Sequence, residues 1–282
     1  MNKQPEKIMK KFLLTLVIFI IFTTNISQAD SNRLSKEYLQ NNKHFSVMNP
    51  FVESLAELFI KSALKKETGA NYKVEYEGYT FESMRKGIFK KLYISGENVN
   101  VNDILVPFVR VESLTDYNYI DFNSKPVKYL SDMEFAYELQ LAEGSINSAL
   151  KHDDYKKVVE KISKIAYPMF EVYGVTTRIV DNKFYVLTEY NFPIAPSKKN
   201  KVFVAACDFK VENGKILANN IEINTAYGNL SLNKVANMIN FLNPLQFTLD
   251  LLEKKNCNAN IENVNIIDNK VKINGKIFIK GD

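Results

Sequence analysis

The most restrictive feature of this sequence is a recurring strand pattern, in which an Asp-Asn-Lys corner precedes alternating apolar and polar residues. The chain ends in "NIIDNKVKINGKIFIKGD", and "RIVDNKFYVLTEYNF" carries the same corner near the middle. After the last corner, Val271, Ile273, Ile277 and Ile279 fall on one face of a strand. The repeated corner has two open readings. It is a trace of internal duplication, or it is ordinary hairpin chemistry, since Asp and Asn suit tight turns.

Several other segments have the same alternation and predict an extended set of antiparallel strands. "YKVEYEG" and "SDMEFAYELQL" place apolar residues at every second position. The corners at 181–183 and 212–215 predict hairpins between Val172 and Asn224. Together these patterns favour sheets with one apolar and one polar face.

Three segments have helical periodicity. "NPFVESLAELFIKSALKKETG" begins with Asn49 as N-cap and Pro50 in the first turn, and Gly69 is placed to end it. A second helix is expected from "AEGSINSAL" to about Tyr167, and a third from about 231 to 255, interrupted at Asn243-Pro244. The order helix, strands, helix, strands, helix, hairpin predicts the α+β class with antiparallel sheets.

The N-terminus has the pattern of an export signal. Lysines precede the apolar run "FLLTLVIFIIF", and small residues Ser27 and Ala29 follow. This run of about 11 residues is shorter than the roughly 20 needed to span a bilayer, so cleavage near Ala29 is favoured over anchoring. We therefore expect a signal peptide at 1–29, a polar leader at 30–46 and a single α+β domain at 47–282. The mature protein is expected in the periplasm or cell envelope.

Charge and composition give little support for a nucleic-acid partner. The whole chain carries a net charge of +5, and the first 29 residues contribute +3 of it. The remaining +2 is not concentrated in the way that nucleic-acid binding requires. Two basic stretches are candidates for contact with anionic lipid headgroups, with solvated turns as the alternative. They are "MRKGIFKK", with Arg85, Lys86, Lys90 and Lys91, and "PIAPSKKNK", with Lys198, Lys199 and Lys201.

The histidines and the known catalytic motifs give no sign of a reaction or a metal site. His152 lies beside Asp153 and Asp154, but adjacent helical residues point in different directions, which favours a solvated helix face. The sequence contains no G-x-S-x-G elbow, glycine-rich phosphate loop or CxxC pair. We therefore expect no enzyme activity, cofactor or metal. Cys207 and Cys257 are either a disulfide or two separate thiols.

The expected strands present a large apolar area, and only three helices are expected to cover it. The third helix is itself apolar on several sides. One reading is that sheet and helices cover one another completely. The other is that part of this surface receives an apolar ligand.

Three segments resemble the LmeA-like phospholipid-binding family. "YTFESMRKGIFKKLYISGENVNVNDILVPFVRVESL" resembles its basic-glycine turn before two strands, and "NPLQFTLDLLEKKNCNANIENVNIIDNKVKINGK" resembles its closing pattern. "ELQLAEGSINSAL" is similar to its strand and helix start: Glu143, Ile146 and Asn147 match, whereas Ala142 replaces a threonine and Ser145 an aspartate. The resemblance spans roughly 57–281.

This resemblance implies a long, curved antiparallel sheet wrapped on two or three long helices, as in tubular lipid-binding folds, with a groove for acyl chains. The expected ligand is a phospholipid or other acyl lipid, and the protein is an exported lipid-binding or lipid-transfer protein. The expected lining is Phe51, Leu55, Leu58, Phe59, Ile239, Leu242, Leu245 and Phe247. A self-packed scaffold for envelope assembly is the alternative, and a hydrolase with an unrecognised site is a third. The oligomeric state is left open.

Overall fold

The computed structural model describes residues 34–41, 50–122, 124, 127–166, 171–194, 200–224, 232–252 and 258–282. The helices in these ranges are α1 (Lys36–Asn41), α2 (Pro50–Thr68), α3 (Phe81–Arg85), α4 (Glu143–Ala149), α5 (Asp153–Ala166), α6 (Leu232–Leu242) and α7 (Pro244–Leu252). Each has between 5 and 19 residues. The expected signal peptide, Asn49 and Cys257 lie outside the described residues.

The described strands are β1 (Tyr72–Glu77), β2 (Ile88–Phe89), β3 (Lys91–Val101), β4 (Ile104–Ser113), β5 (Asn118–Asp121), β6 (Lys128–Tyr129), β7 (Met133–Ala142), β8 (Glu171–Val180), β9 (Lys183–Asn191), β10 (Lys201–Glu212), β11 (Lys215–Asn224), β12 (Asn258–Ile267) and β13 (Lys270–Ile279). Their pairing is antiparallel throughout the described residues. The α+β class with antiparallel sheets is therefore confirmed.

The described strands form three sheets. The large sheet has the order β1-β3-β4-β7-β13-β12, so the C-terminal hairpin joins the sheet through β7. A second sheet is the meander β11-β10-β9-β8, and a small sheet has the order β2-β5-β6. One continuous hydrophobic core includes residues from the large and the four-stranded sheet and from α2, α4, α5, α6 and α7.

Four hairpins turn through two consecutive residues with positive φ, as tight type I′ turns require. These pairs are Asn102-Asp103, Asp181-Asn182, Asn213-Gly214 and Asp268-Asn269, with φ between 51° and 73°. The two Asp-Asn-Lys corners are therefore confirmed as hairpin turns, and their Asn and Asp residues tolerate a backbone region that most side chains avoid.

The two Asp-Asn-Lys corners also contact each other. The backbone N–H of Asn182 donates to Oδ1 of Asn269 over 3.0 Å, and the N–H of Asn269 donates to Oδ1 of Asn182 over 3.0 Å. This reciprocal pair, which we call the Asn clasp, joins the β8–β9 turn of the four-stranded sheet to the β12–β13 turn of the large sheet.

Helix α2 is the first helix predicted from the sequence, and it has the expected boundaries. It begins at Pro50 and ends at Thr68, and Gly69 has a φ of +74° and donates its N–H to the carbonyl of Lys65. The third helical stretch is divided at Asn243 into α6 and α7, as the Asn-Pro pair predicts.

The expected second helix differs from the structure. Residues 150–152 form a turn between α4 and α5, so the single helix predicted from 142 to about 167 is wrong. A new helix starts at Asp153, where Asp153 and Asp154 supply negative charge at its N-terminus. Helix α4 ends at its C-cap Leu150, whose N–H donates to the carbonyl of Ile146.

Part of the expected polar leader is folded. The short helix α1 packs Leu39 against Tyr79, Ile88 and Tyr117 beside the small sheet. The Tyr117 hydroxyl donates to the carbonyl of Leu34 over 3.3 Å. A helix of this length is not stable alone, so tertiary packing holds it, and local sequence pattern could not reveal it.

Candidate functional site

Helix α2 has two apolar faces with different surroundings. Ala56, Ile60, Ala63 and Leu64 are buried, and the helix packs on β1 and β3. On the other side, Phe51, Leu58 and Phe59 are 66%, 60% and 43% exposed, and Leu55 is partly buried. Because these four residues are spaced by 4, 3 and 1, they form one stripe along the helix. We call Phe51, Leu55, Leu58 and Phe59 the α2 stripe.

The polar residues of α2 hold the helix against the edge of the large sheet. The N–H of Tyr76 in the edge strand β1 donates to Oε1 of Glu57 over 3.2 Å. Thr68 donates its hydroxyl to the carbonyl of Leu64 and lies 2.9 Å from the Tyr72 hydroxyl. These contacts fix the rotation of α2 about its axis, so the α2 stripe faces away from the sheet.

Of the four site residues predicted on the third helical stretch, three are buried and Phe247 is partly buried. Ile239 and Leu242 are each 1% exposed and Leu245 is 0% exposed. The ring of Phe247 packs on the ring of Tyr155 in α5, with 4.8 Å between centroids. Protein therefore covers Ile239, Leu242 and Leu245, whereas Phe241 of α6 is 42% exposed.

The two halves of the predicted groove contact different elements. Helix α2 packs on β1 and β3, whereas α6 packs on β11 and α5, and α7 packs on β11 and α4. Three polar side chains of α6, the helix break and α7 bind the backbone of the edge strand β11. Asn240 and Gln246 accept from the N–H groups of Ala218 and Ile216, and Asn243 donates to the carbonyl of Ile216.

The apolar face of the last strand is also covered. Val271 and Ile273 are 0% exposed, Ile277 is 8% exposed and Ile279 is 5% exposed, all within the main core. The apolar face of β13 is therefore covered by other parts of the protein, which the sequence alone could not show.

The residues shared with the LmeA-like pattern have a clear packing role. Ile146 is 0% exposed in the core. Asn147 donates to the carbonyl of Thr177 over 2.9 Å and accepts from its N–H over 2.8 Å and its hydroxyl over 3.1 Å. Glu143 accepts the N–H of Ile179 over 3.0 Å. Helix α4 thus binds three backbone groups of the edge strand β8 that the sheet itself leaves unpaired.

The expected membrane-contact residues are placed on two parts of the protein. Arg85 ends α3 with its guanidinium 5.8 Å from the Phe81 ring, and Lys86 follows it as the C-cap. Lys90 is ion-paired with Glu77, and Lys91 is exposed at the start of β3. Lys201 starts β10, while Lys198 and Lys199 lie outside the described residues.

One charged cluster was not anticipated from the sequence. Glu138 of β7 is 5% exposed and lies between Arg110 of β4, at 3.1 Å, and Lys272 of β13, at 2.9 Å. Burial alone would raise the pKa of this carboxyl, but hydrogen bonds from Lys272 and Gln140 and the two positive charges hold the pKa below its ordinary value. Glu138 lies opposite Arg110 because β7 pairs with β4 in this register, and local sequence does not predict which strands pair.

No group of three His, Cys, Asp or Glu side chains that could hold a metal occurs among the described residues. His152 is exposed, as the sequence indicated, but it lies in the turn before α5, and its Nδ1 is 3.6 Å from a carboxylate oxygen of Asp154, so the two side chains do not point apart. Burial raises the pKa of the Cys207 thiol to about 12, which makes it a poor nucleophile.

Comparisons with known proteins identify no relative: no family model, curated protein or solved structure matches this chain. The resemblance to the LmeA-like family therefore stays a sequence-based hypothesis. Within the part of the chain that the structure describes, none of the helices combines the length and apolar character needed to cross a bilayer.

Proposed function

We propose that this protein is an exported, non-enzymatic lipid-binding protein of the bacterial envelope, which receives acyl chains along the α2 stripe. The observation that carries the proposal is the exposure of two phenylalanines and a leucine on one face of a single helix. Exposed apolar patches of this kind on a folded protein commonly mark ligand or partner sites.

The energetics fit such a ligand. Burying one large apolar side chain is worth about 1.5–3 kcal/mol, and each CH₂ of a lipid contributes about 0.8 kcal/mol. The exposed Phe51, Leu58 and Phe59 and the partly buried Leu55 offer an apolar strip on which an acyl chain can leave water. The residues expected on α6 and α7 then support the fold from inside and do not touch the lipid.

The curved, tubular architecture implied by the family resemblance belongs to the same proposal. Bulges occur in β8, β11 and β12, and bulges bend strands. In β3, buried residues occupy even positions up to Gly96 and odd positions from Val99, on either side of Asn98 with a φ of 52°. Both features support a strongly twisted sheet around α2 and the core helices. Export and cleavage near Ala29 complete the proposal.

A self-packed scaffold is the second candidate, and one specific observation favours it. Val271, Ile273 and Leu245 are fully buried within the protein core, so these apolar faces need no ligand to cover them. In this case the α2 stripe binds another protein during envelope assembly, and the protein carries no lipid.

A matched pair of variants separates the two candidates. Leu58→Ser removes an exposed leucine from the α2 stripe, and Leu105→Ser removes a 51% exposed leucine from β4. We expect Leu58→Ser to weaken uptake of a fluorescent phospholipid by about ten- to a hundredfold, as the burial energy of one leucine requires. Leu105→Ser should bind like the unmodified protein. Equal uptake by both variants would exclude the α2 stripe as the lipid site.

A further inference from the structure

Strand β1 forms one edge of the large sheet and pairs with β3 on its inner side. In an antiparallel strand, the N–H and C=O of one residue point to one side, and those of the next residue point to the other. The N–H of Tyr76 donates to Glu57 of α2, on the side away from β3. The backbone groups of Tyr72 and Val74 therefore also face the outer edge, whereas those of the intervening residues bond to β3.

The outer edge of β1 is less protected than the two edges of the four-stranded sheet. Both of those edges receive at least three hydrogen bonds from helix side chains, made by Glu143, Asn147 and Ser163 on β8 and by Asn240, Asn243 and Gln246 on β11. On the outer edge of β1, the described residues place one such bond, from the Tyr76 N–H to Glu57. A poorly covered edge strand is a template for pairing with another chain.

The sequence of β1 is complementary to itself. The segment Tyr72-Lys73-Val74-Glu75-Tyr76 is symmetric about Val74, except that its two charges have opposite signs. When two copies of this strand pair antiparallel about Val74, each Lys73 lies opposite Glu75 of the other copy. Side chains directly opposite each other have Cβ atoms about 4.5–5.5 Å apart, so this register forms two ion pairs between the copies.

The two charged side chains are accessible to a second copy. Lys73 and Glu75 are 66% and 59% exposed, and they form an ion pair of 2.6 Å along the strand. Tyr72, Val74 and Tyr76 point to the opposite face and are buried in the core. Pairing along this edge therefore depends on backbone hydrogen bonds and on the two charges, and the apolar face of β1 stays packed as it is.

We propose that two copies of this protein associate through β1, in an antiparallel pair centred on Val74 that joins the two large sheets into one. The N–H and C=O of Val74 bond to Val74 of the second copy, and the Tyr76 N–H exchanges Glu57 for the carbonyl of Tyr72. A twofold interface uses the same patch on both copies, which is the arrangement that a self-complementary strand fits. This inference goes beyond the proposed lipid function and does not depend on it.

Sedimentation velocity of the exported protein, purified without detergent, measures the association. A five-residue ladder buries less surface than a standard interface, so we expect a monomer–dimer equilibrium with a Kd on the order of 100 μM. High salt should weaken the dimer, because exposed charges are screened. Protein that stays monomeric at about 1 mM, tenfold above this Kd, would overturn the proposal.

Charge reversal tests the register. Lys73→Glu sets two Glu–Glu pairs across the twofold axis, and Glu75→Lys sets two Lys–Lys pairs, so each variant should dimerise about tenfold more weakly. The double variant Lys73→Glu/Glu75→Lys restores both ion pairs and should dimerise like the unmodified protein. An equimolar mixture of the two single variants should form a heterodimer, because every glutamate then faces a lysine.

The matched control is Lys210→Glu, since Lys210 and Glu212 form an exposed ion pair with the same spacing in β10. This variant should dimerise like the unmodified protein, and circular dichroism checks that every variant is folded. A dimer that neither reversal in β1 weakens, or single variants that do not associate when mixed, would overturn the proposal. So would loss of the dimer in Leu58→Ser alone, because the contact would then lie on the α2 stripe.

The lipid content of the same samples separates this inference from the proposed function. Charge-dependent dimerisation of protein that carries and takes up no lipid would refute lipid binding at the α2 stripe and retain the β1 interface. Lipid uptake by protein that is monomeric at every concentration would retain the lipid function and refute the β1 interface.

Discussion

Replacing Asn147 with alanine removes the polar connection between α4 and the edge strand β8. The side chain makes three hydrogen bonds with Thr177, which is 1% exposed. Its loss leaves a buried N–H, carbonyl and hydroxyl without a partner, and each such group costs about 1–3 kcal/mol. Asn147 itself is only partly buried, so water reaches some of the vacated space and the lower value applies.

The expected loss is therefore about 3 kcal/mol, reduced by about 0.6 kcal/mol because alanine is the better helix former. Urea unfolding followed by far-UV circular dichroism measures it, since the chain has no tryptophan. The free energy of unfolding of Asn147→Ala should fall by about 2–3 kcal/mol at an unchanged m-value. Asn147→Asp retains an acceptor oxygen but sets a carboxylate oxygen against the Thr177 carbonyl, so it should also destabilise the protein.

The matched control is Asn100→Ala, which removes an exposed asparagine from β3. It should change the free energy of unfolding by less than about 0.5 kcal/mol, as surface substitutions usually do. If Asn147→Ala were no more destabilising than Asn100→Ala, helix α4 would not hold the edge of the four-stranded sheet, and the structural role given to the family-like residues would be wrong.

Three further predictions concern other contacts. Asn182→Gly and Asn269→Gly, which keep the positive φ, should each cost about 0.5–1 kcal/mol in urea unfolding, because each removes one exposed hydrogen bond of the Asn clasp. The lowered pKa of Glu138 adds stability that is present above its unfolded value near 4.5 and lost as the pH falls below it. The difference in unfolding free energy between the unmodified protein and Glu138→Gln should therefore shrink as the pH falls below about 4.5. In Cys257→Ser, the remaining Cys207 should react with a thiol reagent at pH 8 only after unfolding, because its thiol is buried with a pKa of about 12; rapid reaction of the folded protein would contradict its burial.

Local chemistry predicted many of the elements. Asp and Asn in positive-φ turns identified the hairpins, and Pro50 and Gly69 identified the ends of α2. By contrast, α1 forms because Leu39 packs on distant residues. The turn at 150–152 interrupts a segment whose residue pattern predicts one continuous helix. Sequence periodicity carries no information on such long-range contacts.

In the candidate site, too, the sequence identifies the apolar residues but not which of them are exposed. Phe51 and Leu242 are equally apolar in the sequence, yet one is 66% exposed and the other 1% exposed. Hydrophobicity identifies a residue that avoids water, but only the tertiary arrangement decides whether protein or a ligand covers it.

Mass spectrometry of organic extracts tests the central claim most directly, using exported protein purified without detergent. The account predicts phospholipid or another acyl lipid at close to one equivalent per chain, with less in Leu58→Ser than in Leu105→Ser. Repeated extraction without lipid from folded protein that also fails to take up added phospholipid would contradict the claim and favour the self-packed scaffold.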